Sequence, residues 1–501
     1  MDKEKIKSII GFLFFIAILL FLFTKVTWLF RGNDVEARTD LVAFKNQENV
    51  DVVLYGGSTL LRYFSPLDAW NKEGMVAYNY ATSSAKVDIV KEYIEDSRKT
   101  NEAKLYVIDI RTYPMLTEVI DDPSLRNWSD SLPIFSFTRW EGISHFLFTR
   151  DWNEVDVPSF YFDIIKYHSN KAALSDPNQW KFLNESGISN TDRGFAPNIA
   201  LTIFDEPEVI EDRGELTAQQ ANALNDLLDY CDKEQLPVLF IVCPYYISEN
   251  DWKVLNTCED IIKDRGYDFV NFNNYYDEIG LDFQRDFSDV NHVNYIGSIK
   301  YTEYLLNYIK TNYDIPDRRG EDLYNQLNDD YIQLQVKEKE WYEILLNVAD
   351  SQISAHENGQ KMRTIDSFDS WYELAQNDNY TMIISMRDGY YATTNDALYH
   401  KFIFAHSMND CTNYTGVWKG GNCIFMSTEM ESTDLSIGVN GNRGRGQDNC
   451  VIAAGRVQIA GVDYTLDKAL LQIIIYDNNY KEVIDNVSIV CDDNGEIRLE
   501  R

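Results

Sequence analysis

Residues 50–63 read VDVVLYGGSTLLRY, which is an apolar run, two glycines, a serine and then a stretch with helical spacing. The apolar run does not alternate with polar residues, as is typical of a strand buried on both faces of a parallel sheet. Amphipathic helical patterns occur further along, most clearly at 216–235 and 251–266. Strands alternating with helices predict an α/β fold with a parallel sheet covered by helices. The other strand-like runs are MVAYNYA (75–81), AKLYVIDI (103–110), LPVLFIVC (236–243) and YDFVNF (267–272).

The chain divides into several regions around this α/β core, which we place at residues 50–313. The stretch 111–205 interrupts the rhythm with many aromatic residues, and we expect an insertion packed over one edge of the sheet. Residues 314–361 continue from the turn IPDRRG as a charged helix, either a connecting helix docked on the next domain or a coiled-coil spacer. From residue 362 strands and polar turns prevail, which predicts a smaller C-terminal α/β or β-rich domain at 362–501.

An apolar stretch at residues 8–30, SIIGFLFFIAILLFLFTKVTWLF, precedes the core. Its uncharged part, 8–24, would cover most of a ~30 Å hydrocarbon core, with Lys25 and Trp28 suited to the interface. A cleaved signal peptide is the alternative, but no small-x-small cleavage pattern follows the run, so we predict an uncleaved transmembrane anchor. We expect a single-pass protein of the cell membrane, with the N-terminus inside and the catalytic domain extracellular. Its first parts would be a cytoplasmic tail (1–7), the anchor (8–30) and a stalk (31–49).

The composition narrows the possible function classes. The 501 residues include 46 Lys and Arg against 80 Asp and Glu, a formal net charge of −34. Such a chain would repel a phosphate backbone, so we expect no nucleic-acid partner. The seven cysteines form no CxxC pair, and the sequence contains no phosphate loop or dinucleotide fingerprint, so we expect no metal and no cofactor. The single span and the acidic ectodomain suggest a Gram-positive surface.

Ser58 is the first candidate for chemistry. It follows a buried strand and the Gly56-Gly57 pair, which places it at the carboxyl edge of the sheet, where ligands bind in open α/β folds. A serine hydroxyl is a weak nucleophile alone and needs a neighbouring base.

Asp289 and His292 are the second candidates, in the stretch DFSDVNHVNYIG (286–297). They lie three residues apart, directly before a helix expected to begin near Tyr295. This spacing lets the carboxylate hold one imidazole nitrogen while the other takes a proton from a serine. The alternative is that Asp289 or Asn291 caps the following helix.

The GGS after the first strand and the D-x-x-H before the last helix resemble the SGNH/GDSL hydrolase superfamily over about residues 50–313. The resemblance implies a flavodoxin-like three-layer fold and a triad of Ser58 as nucleophile, His292 as base and Asp289 as its orienting carboxylate. The anchor and the HVNYIG continuation look more like the membrane-tethered branch that modifies bacterial surface polymers. That branch includes DltD of lipoteichoic acid D-alanylation and the alginate O-acetylation proteins. Several of its members act beside a membrane-bound O-acyltransferase.

Three positions depart from the family pattern. The middle residue of its GDS or GSS motif is Gly57 here. The family has a glycine in its oxyanion hole, and the corresponding stretch here, YNYATSSAK, offers Ser83 or Ser84 instead. The family also has an asparagine that donates to the oxyanion, and the corresponding strand end here, IDIRTYP, offers Arg111. Weaker oxyanion stabilisation would suit transfer from an activated donor better than hydrolysis of ordinary esters.

Two more residues could line the cleft. His168 lies in the aromatic insertion, where a packed or capping histidine is the alternative. Tyr245 follows the fourth strand and could stack on a sugar ring, although packing at the rim of the sheet is the alternative.

Two stretches of the C-terminal region resemble the interleukin-like EMT inducer (ILEI/PANDER) fold. Residues 457–490 look like its opening strands, and 367–398 like the segment that normally follows them, so the domain would be circularly permuted. Relatives of that fold occur as sugar-binding stem domains beside glycan-modifying enzymes, which implies carbohydrate binding. A spacer domain without a ligand is the alternative.

These features predict a membrane-anchored extracellular O-acyltransferase or esterase, with O-acetyl transfer expected, that modifies a cell-surface polysaccharide or teichoic acid through a serine nucleophile. The alternative is a non-catalytic surface protein of the same fold that binds glycan or docks a membrane-bound O-acyltransferase. The altered oxyanion positions favour that alternative.

Overall fold

A computed structural model divides the chain into two compact units. The first comprises Met1–Asn198, Glu208–Leu281 and His292–Glu340, and the second comprises Ile199–Pro207, Asp282–Asn291 and Trp341–Arg501. The structure describes residues 3–32, 35–47, 49–120, 122–151, 156–203, 206–388, 397–409, 411–429, 431–438, 447–453, 455–492 and 494–501.

The first unit is built from short strands and many helices. Its helices are α1 (Lys3–Phe30), α2 (Val35–Phe44), α3 (Ser58–Tyr63), α4 (Pro66–Glu73), α5 (Val90–Ser97), α6 (Asp122–Ser129), α7 (Phe137–Thr149), α8 (Val157–Tyr161), α9 (Ile164–Tyr167), α10 (Pro177–Trp180), α11 (Ala218–Glu234), α12 (Glu249–Asp264), α13 (Tyr276–Ile279) and α14 (Tyr295–Asn312). Its main strands are β1 (Val52–Gly56), β2 (Ala77–Ala81), β3 (Leu105–Asp109), β4 (Val238–Val242) and β5 (Asp268–Asn271). Two short strands follow, β6 (Phe287–Asp289), which falls in the second unit, and β7 (His292–Val293).

The five main strands form one parallel sheet in the order β2-β1-β3-β4-β5. Every residue of β1 to β4 is buried, which explains why these runs are mostly apolar and do not alternate with polar residues. The predicted strands and the parallel sheet flanked by helices are confirmed. The helical patterns at 216–235 and 251–266 correspond to α11 and α12.

The strand order places a switch of direction between β1 and β3. The chain moves from β1 to β2 on one side and returns to β3 on the other. Ligands of doubly wound sheets bind outside the carboxyl ends of the strands at such a switch point. Ser58, the first residue of α3, directly follows β1 at this edge.

The segment 31–49, expected to be a stalk, instead contains α2, which is buried in the core of the first unit. In α2 the residues from Ala37 to Phe44 are buried except for Thr39. The Phe44 ring makes edge contacts with Tyr78 and Tyr80 of β2, at centroid distances of 5.1 and 4.9 Å. The helix therefore covers β2, the edge strand of the sheet. The spacing of residues within α2 does not reveal this partner, because β2 is distant in the sequence.

Among the described residues, one helix is long and apolar enough to cross a membrane, by length and composition: Lys5–Phe30 within α1. Its last turn is buried in the first unit. Trp28 stacks on Phe182 at 5.8 Å, and Arg31, just beyond the helix, is fully buried. The apolar helix therefore runs directly into the folded unit.

The aromatic insertion folds as the helices α6 to α10. Its Asp163 receives hydrogen bonds from Arg31 and from Arg139 of α7, and all three side chains are buried. A buried charge is tolerated when it is paired and hydrogen-bonded, so this cluster joins the insertion to the end of α1. The insertion packs on α2 and α5, while residues 199–203 belong to the second unit.

The helix α15 (Asn325–Met362) begins in the first unit and continues into the second. Its first part is docked on the first unit, where Trp70 of α4 donates from its indole nitrogen to Asn328 at 3.0 Å.

The second unit contains two antiparallel sheets. One has six strands in the order β10-β9-β8-β15-β16-β17, and the other has four in the order β11-β12-β13-β14. Two further helices belong to this unit, α16 (Phe368–Ala375) and α17 (Ala397–Ala405). The strands are β8 (Tyr380–Met386), β9 (Tyr414–Lys419), β10 (Asn422–Ser427), β11 (Thr433–Ile437), β12 (Asp448–Ala453), β13 (Arg456–Ile459), β14 (Val462–Asp463), β15 (Leu471–Asp477), β16 (Glu482–Cys491) and β17 (Ile497–Glu500).

The six-stranded sheet is covered on both faces. Met382 and Ile384 of β8 pack against the helices, whereas Ile383 packs with the residues of the four-stranded sheet. This unit is therefore rich in antiparallel strands, in agreement with the β-rich alternative. The stretches 367–398 and 457–490, on which the expected likeness to the ILEI fold is based, contain the neighbouring strands β8 and β15. Residues 389–396 of the stretch 367–398 lie outside the described residues.

The carboxyl groups of Asp68 on α4 and Glu338 on α15 are in hydrogen-bond contact. Burial, followed by the negative charge of Asp68, raises the pKa of Glu338 from 4.5 to about 7. The folded state therefore holds a proton that the unfolded chain loses between about pH 4.5 and pH 7, so stability falls as the pH rises through that window.

We predict that Glu338→Gln removes this loss, because the amide donates to Asp68 at every pH. At pH 8 the variant should unfold with a free energy about 1–2 kcal/mol higher than the wild type, after discounting for solvent screening. Urea unfolding at several pH values measures the difference, with the exposed Glu340→Gln on the same helix as control. An unchanged pH slope in Glu338→Gln would contradict the assignment.

Candidate active site

A hydrogen bond between Ser58 and His292 brings together the two motifs singled out in the sequence. Ser58 Oγ lies 2.7 Å from His292 Nε2, although the residues are 234 positions apart. Ser58 begins α3 at the end of β1, and His292 lies in β7 just before α14. Both residues are partly buried, so neither is fully enclosed in the core.

Three hydrogen bonds connect α3 and the residues after it with β7 and α14, and they hold this pair in place. The backbone N–H of Val293, next to His292, donates to the Tyr63 hydroxyl at 3.0 Å. Thr302 of α14 donates to the Tyr63 carbonyl at 3.1 Å and accepts from the Ser65 backbone N–H at 3.0 Å. The helix that carries Ser58 and the strand that carries His292 are thus tied to each other.

Neither Asp289 nor Asn291 caps α14, which was the alternative role predicted for them. The Asn294 side chain is the N-cap of α14 and accepts from the backbone N–H groups of Ile296 and Gly297. The alternative is wrong because α14 begins at Tyr295, one residue after Asn294.

A buried carboxylate, Asp109 at the end of β3, organises the carboxyl edge beside Ser58. It accepts from the Thr59 hydroxyl at 2.5 Å and from the backbone N–H groups of Arg111 and Cys243 at 3.0 and 3.3 Å. Thr59 is fully buried and is the residue after Ser58. One side chain therefore connects the ends of β3 and β4 with the start of α3.

Steric contacts favour glycine at both positions before Ser58. A Cβ on Gly56 would lie 3.1 Å from the Asp109 Cβ, and a Cβ on Gly57 would lie 3.0 Å from the Ala85 carbonyl oxygen. The backbone of the turn therefore approaches its neighbours closely, and a side chain at either position would require them to shift by a few tenths of an ångström.

Ser84 has φ of 63°, in the left-handed region that glycine favours. Ser84 is one of the two serines, with Ser83, that the sequence offers at the oxyanion position. The preceding Ser83 uses its carbonyl oxygen to accept from the Asn127 side chain at 2.7 Å, and its own exposure is intermediate. Ser83 and Ser84 precede Ala85, whose carbonyl oxygen faces Gly57.

Arg111 and Tyr245 lie together at the carboxyl edge. The Arg111 guanidinium lies 4.8 Å from the centroid of the Tyr245 ring, and both side chains are buried. The Tyr245 hydroxyl donates to Asp251 at 3.2 Å, and its exposed fraction is 2%. The Tyr245 ring is therefore packed at the rim of the sheet, as the alternative interpretation of the sequence predicts. Arg111 covers one face of the ring, so that face is not open for a sugar.

Asp289 and His168 occupy two further positions. Asp289 ends β6 in the second unit, where its carboxylate accepts from the Asn291 backbone N–H at 2.7 Å. Its role toward His292 stays a prediction from their spacing. The His168 ring contacts the Ile165 carbonyl of its own turn at 2.8 Å, beside the end of α1, where Asn170 donates to Phe30. Its place in a substrate cleft likewise stays a prediction.

Cys243 is the other potential nucleophile at this edge. Its side chain is fully buried, and its sulfur lies 3.5 Å from the Tyr301 hydroxyl. Burial raises the pKa of the Cys243 thiol well above its ordinary value, which keeps it protonated. Serine is therefore the nucleophile that this edge can offer.

Sequence reasoning missed Asp109, Thr59 and Tyr63. Asp109 lies in the stretch IDIRTYP, directly after an apolar run. A charged residue at the end of a buried strand is the signal that could have identified it. Nothing in the sequence indicates that Thr59 is its donor or that Tyr63 contacts Val293, since both contacts depend on how α3 is rotated.

The arrangement suits proton transfer from a hydroxyl to an imidazole. A neutral Nε2 that accepts from Ser58 Oγ can take its proton as the oxygen attacks an electrophilic carbon. Among the described residues there is no group of three or more His, Cys, Asp or Glu side chains that could hold a metal ion.

In comparisons with known proteins, no protein-family model matches the chain and no curated protein matches it.

We predict that Thr59→Val lowers both stability and the reactivity of Ser58. The substitution keeps the shape of the side chain but leaves a buried Asp109 oxygen without its donor, at a cost of about 1–3 kcal/mol. The loss should also let the start of α3 rotate, so labelling of Ser58 by a fluorophosphonate should slow several-fold. Thr59→Ser restores the hydroxyl and serves as the control. If Thr59→Val labels as fast as wild type, Asp109 does not position Ser58.

Proposed function

We propose that the protein is a membrane-anchored serine acyltransferase or esterase that modifies a glycan at the cell surface. The observation that carries the proposal is the 2.7 Å hydrogen bond between Ser58 Oγ and His292 Nε2 at the carboxyl edge of a parallel sheet. A nucleophile with an adjacent imidazole is the minimal arrangement for acyl transfer through a covalent intermediate.

In the proposed reaction Ser58 Oγ attacks the carbonyl carbon of an acyl donor while His292 Nε2 takes its proton. The bond between this carbon and the leaving group then breaks, and His292 returns the proton to the leaving group. The acyl-serine reacts next with a sugar hydroxyl or with water, whose proton passes to His292 and then back to Ser58. Asp289 would hold the other imidazole nitrogen through this cycle.

Three observations support the likeness to SGNH hydrolases. The strand order is one of the two common orders of doubly wound sheets, and the nucleophile follows β1 at its switch point. The Gly56-Gly57 turn brings the backbone close to Asp109 and Ala85 at this edge, and Ser84 has a backbone conformation that suits the glycine of that family. These features favour a site of that type with a changed oxyanion region.

The cellular setting follows from α1. A helix of this length and hydropathy is suited to span the membrane once, and the ectodomain would then act outside the cell. A surface polysaccharide or teichoic acid is the acceptor available there, and a membrane-bound O-acyltransferase would deliver the acyl group. The β-rich second unit would hold the glycan.

We predict that a fluorophosphonate and 4-nitrophenyl acetate react at Ser58. The full chain in detergent is the material of choice, because truncation within α2 would expose the core around Phe44. Mass spectrometry should find the adduct on Ser58 in the wild type, none on Ser58→Ala, and a strongly reduced yield in His292→Gln.

The matched control for this experiment is His400→Ala, an exposed histidine of α17. It should label like the wild type. A folded wild-type protein that takes no label at Ser58 would favour the non-catalytic alternative, in which the fold only binds glycan or a membrane-bound partner. Acceptor-dependent acyl transfer would then separate a transferase from an esterase.

We predict further that Asp289→Asn lowers the acylation rate by several orders of magnitude while Ser58 remains in place. An amide favours the wrong imidazole tautomer, as in other serine triads, where the corresponding change costs about 10⁴-fold. The rate of 4-nitrophenol release measures the effect, and Asp282→Asn, in the same segment, is the control. Equal rates in both variants would remove Asp289 from the mechanism.

A further inference from the structure

The end of the apolar helix α1 is surrounded by the aromatic insertion. Lys25 donates from Nζ to the Leu183 carbonyl at 2.8 Å, and Trp28 stacks on Phe182. The helices α9 and α10 and the 3₁₀ turn Lys171–Leu174 also contact α1. The first unit therefore meets the helix within its last two turns, where the uncharged run 8–24 ends.

One contact lies on the apolar side of Lys25. The Phe135 ring is 6.2 Å from the ring of Phe23, which belongs to the uncharged run. Because a helix rises 1.5 Å per residue, Phe23 lies about 3 Å further along the helix than Lys25, toward its apolar middle. The loop at 133–137 thus reaches the level at which α1 would enter the hydrocarbon.

Large apolar side chains are exposed around this point. Phe137 is 80% exposed, Phe135 is 48% exposed and Trp180 is 49% exposed. The exposed residues, which we call the apolar collar, are Phe135, Phe137, Trp140, Phe162, Leu174 and Trp180. Single exposed apolar residues are ordinary, but a group of them around one helix end requires a partner.

The two collar tryptophans already have their polar atoms satisfied. Trp140 donates from its indole nitrogen to the Ile134 carbonyl at 2.6 Å, and Trp180 donates to the Leu174 carbonyl at 3.1 Å. Trp140 also contacts Phe162 at a centroid distance of 6.1 Å. Rings with paired N–H groups can enter an apolar region without leaving a donor unbonded.

The charge near the collar differs from that of the chain as a whole. Residues 164–183 carry Lys166, Lys171 and Lys181 against one acidic residue, Asp176, in a chain with a net charge of −34. Lys166 and Lys171 are exposed, and Lys166 also forms an ion pair with Asp122 at 2.8 Å. Basic residues beside apolar ones are typical of surfaces that contact lipid phosphates.

We propose that the apolar collar inserts into the headgroup region of the lipid bilayer around α1, so that the first unit rests on the membrane instead of standing off on a stalk. The inference depends on the proposal that α1 spans the membrane. Lipid is the partner that this surface fits, because Phe135 of the collar contacts Phe23 in the uncharged run of α1 and the segments that carry Leu174 and Trp180 pack on the same helix.

The test uses the full chain in nanodiscs that contain only phosphatidylcholine and a minority of phosphatidylglycerol. A spin label is attached at Phe137→Cys, in a background in which the accessible thiols Cys411, Cys423 and Cys491 are serine. Collisions with oxygen, which partitions into lipid, and with a water-soluble nickel complex report depth. We expect an oxygen-to-nickel ratio several-fold higher at Phe137→Cys than at the control Val209→Cys.

Val209 matches the collar in exposure but lies elsewhere on the first unit. It is 55% exposed, and the carbonyl of the adjacent Ile210 accepts from Asn256 of α12, which packs on β5 at the opposite edge of the sheet from β2. Substitution at either exposed position leaves the core intact. Quenching of Trp180 by brominated lipid, scored against Trp180→Phe, tests the other side of the collar.

A third label at Ile18→Cys separates the two proposals. If Ile18→Cys is deep but Phe137→Cys is as accessible to nickel as Val209→Cys, α1 spans the membrane and the collar inference is overturned. If Ile18→Cys is also accessible to nickel, the anchor itself fails. Insertion in nanodiscs without other proteins supports lipid as the partner, and insertion only after addition of a membrane protein contradicts it.

Discussion

The buried carboxylate of Asp109 is the constraint on which the candidate site depends. It gathers one hydroxyl and two backbone N–H groups from three segments, α3 and the ends of β3 and β4. Each of these donors would be unpaired in the interior without it, so the three segments can pack only in this relation. The relation sets the rotation of α3 and hence the direction of the Ser58 hydroxyl, while Gly56 provides the space for the Asp109 side chain.

The pairing of Ser58 with His292 follows from that rotation and from a second attachment. Tyr63, at the other end of α3, accepts from Val293 next to the histidine. Asn294 then starts α14 by capping it, which leaves the preceding strand extended and the imidazole directed toward α3. The segments that carry Ser58 and His292 are thus each held by a buried polar contact, the kind of support that the precise geometry of the proposed site would need.

At the other end of the first unit, charge burial joins α1 to the insertion. Arg31 and Arg139 share the carboxylate of Asp163, and Arg31 also donates to the carbonyls of Asp130 and Leu132. Because removing one partner would leave a charge buried without compensation, this cluster makes helix and insertion one body. The net charge of −34 would repel an anionic surface from the protein as a whole. It does not describe local patches, and the lysines near the collar form a segment whose charge differs from this average.

The residues alone were enough to predict the parallel sheet, its strands, α11 and α12, the apolar helix, and the pairing of Ser58 with His292. The sheet and helices depend on burial patterns that are local in the chain, whereas the pairing was predicted from two separate motifs and the resemblance that joins them. Only the folded chain showed that α2 covers β2 instead of forming a stalk, that Asn294 is the cap, and that Asp109 bonds Thr59 across 50 positions. The reason is physical: hydrophobic periodicity shows which face of an element is buried, but the partner of a buried polar group depends on the register and rotation of elements distant in sequence.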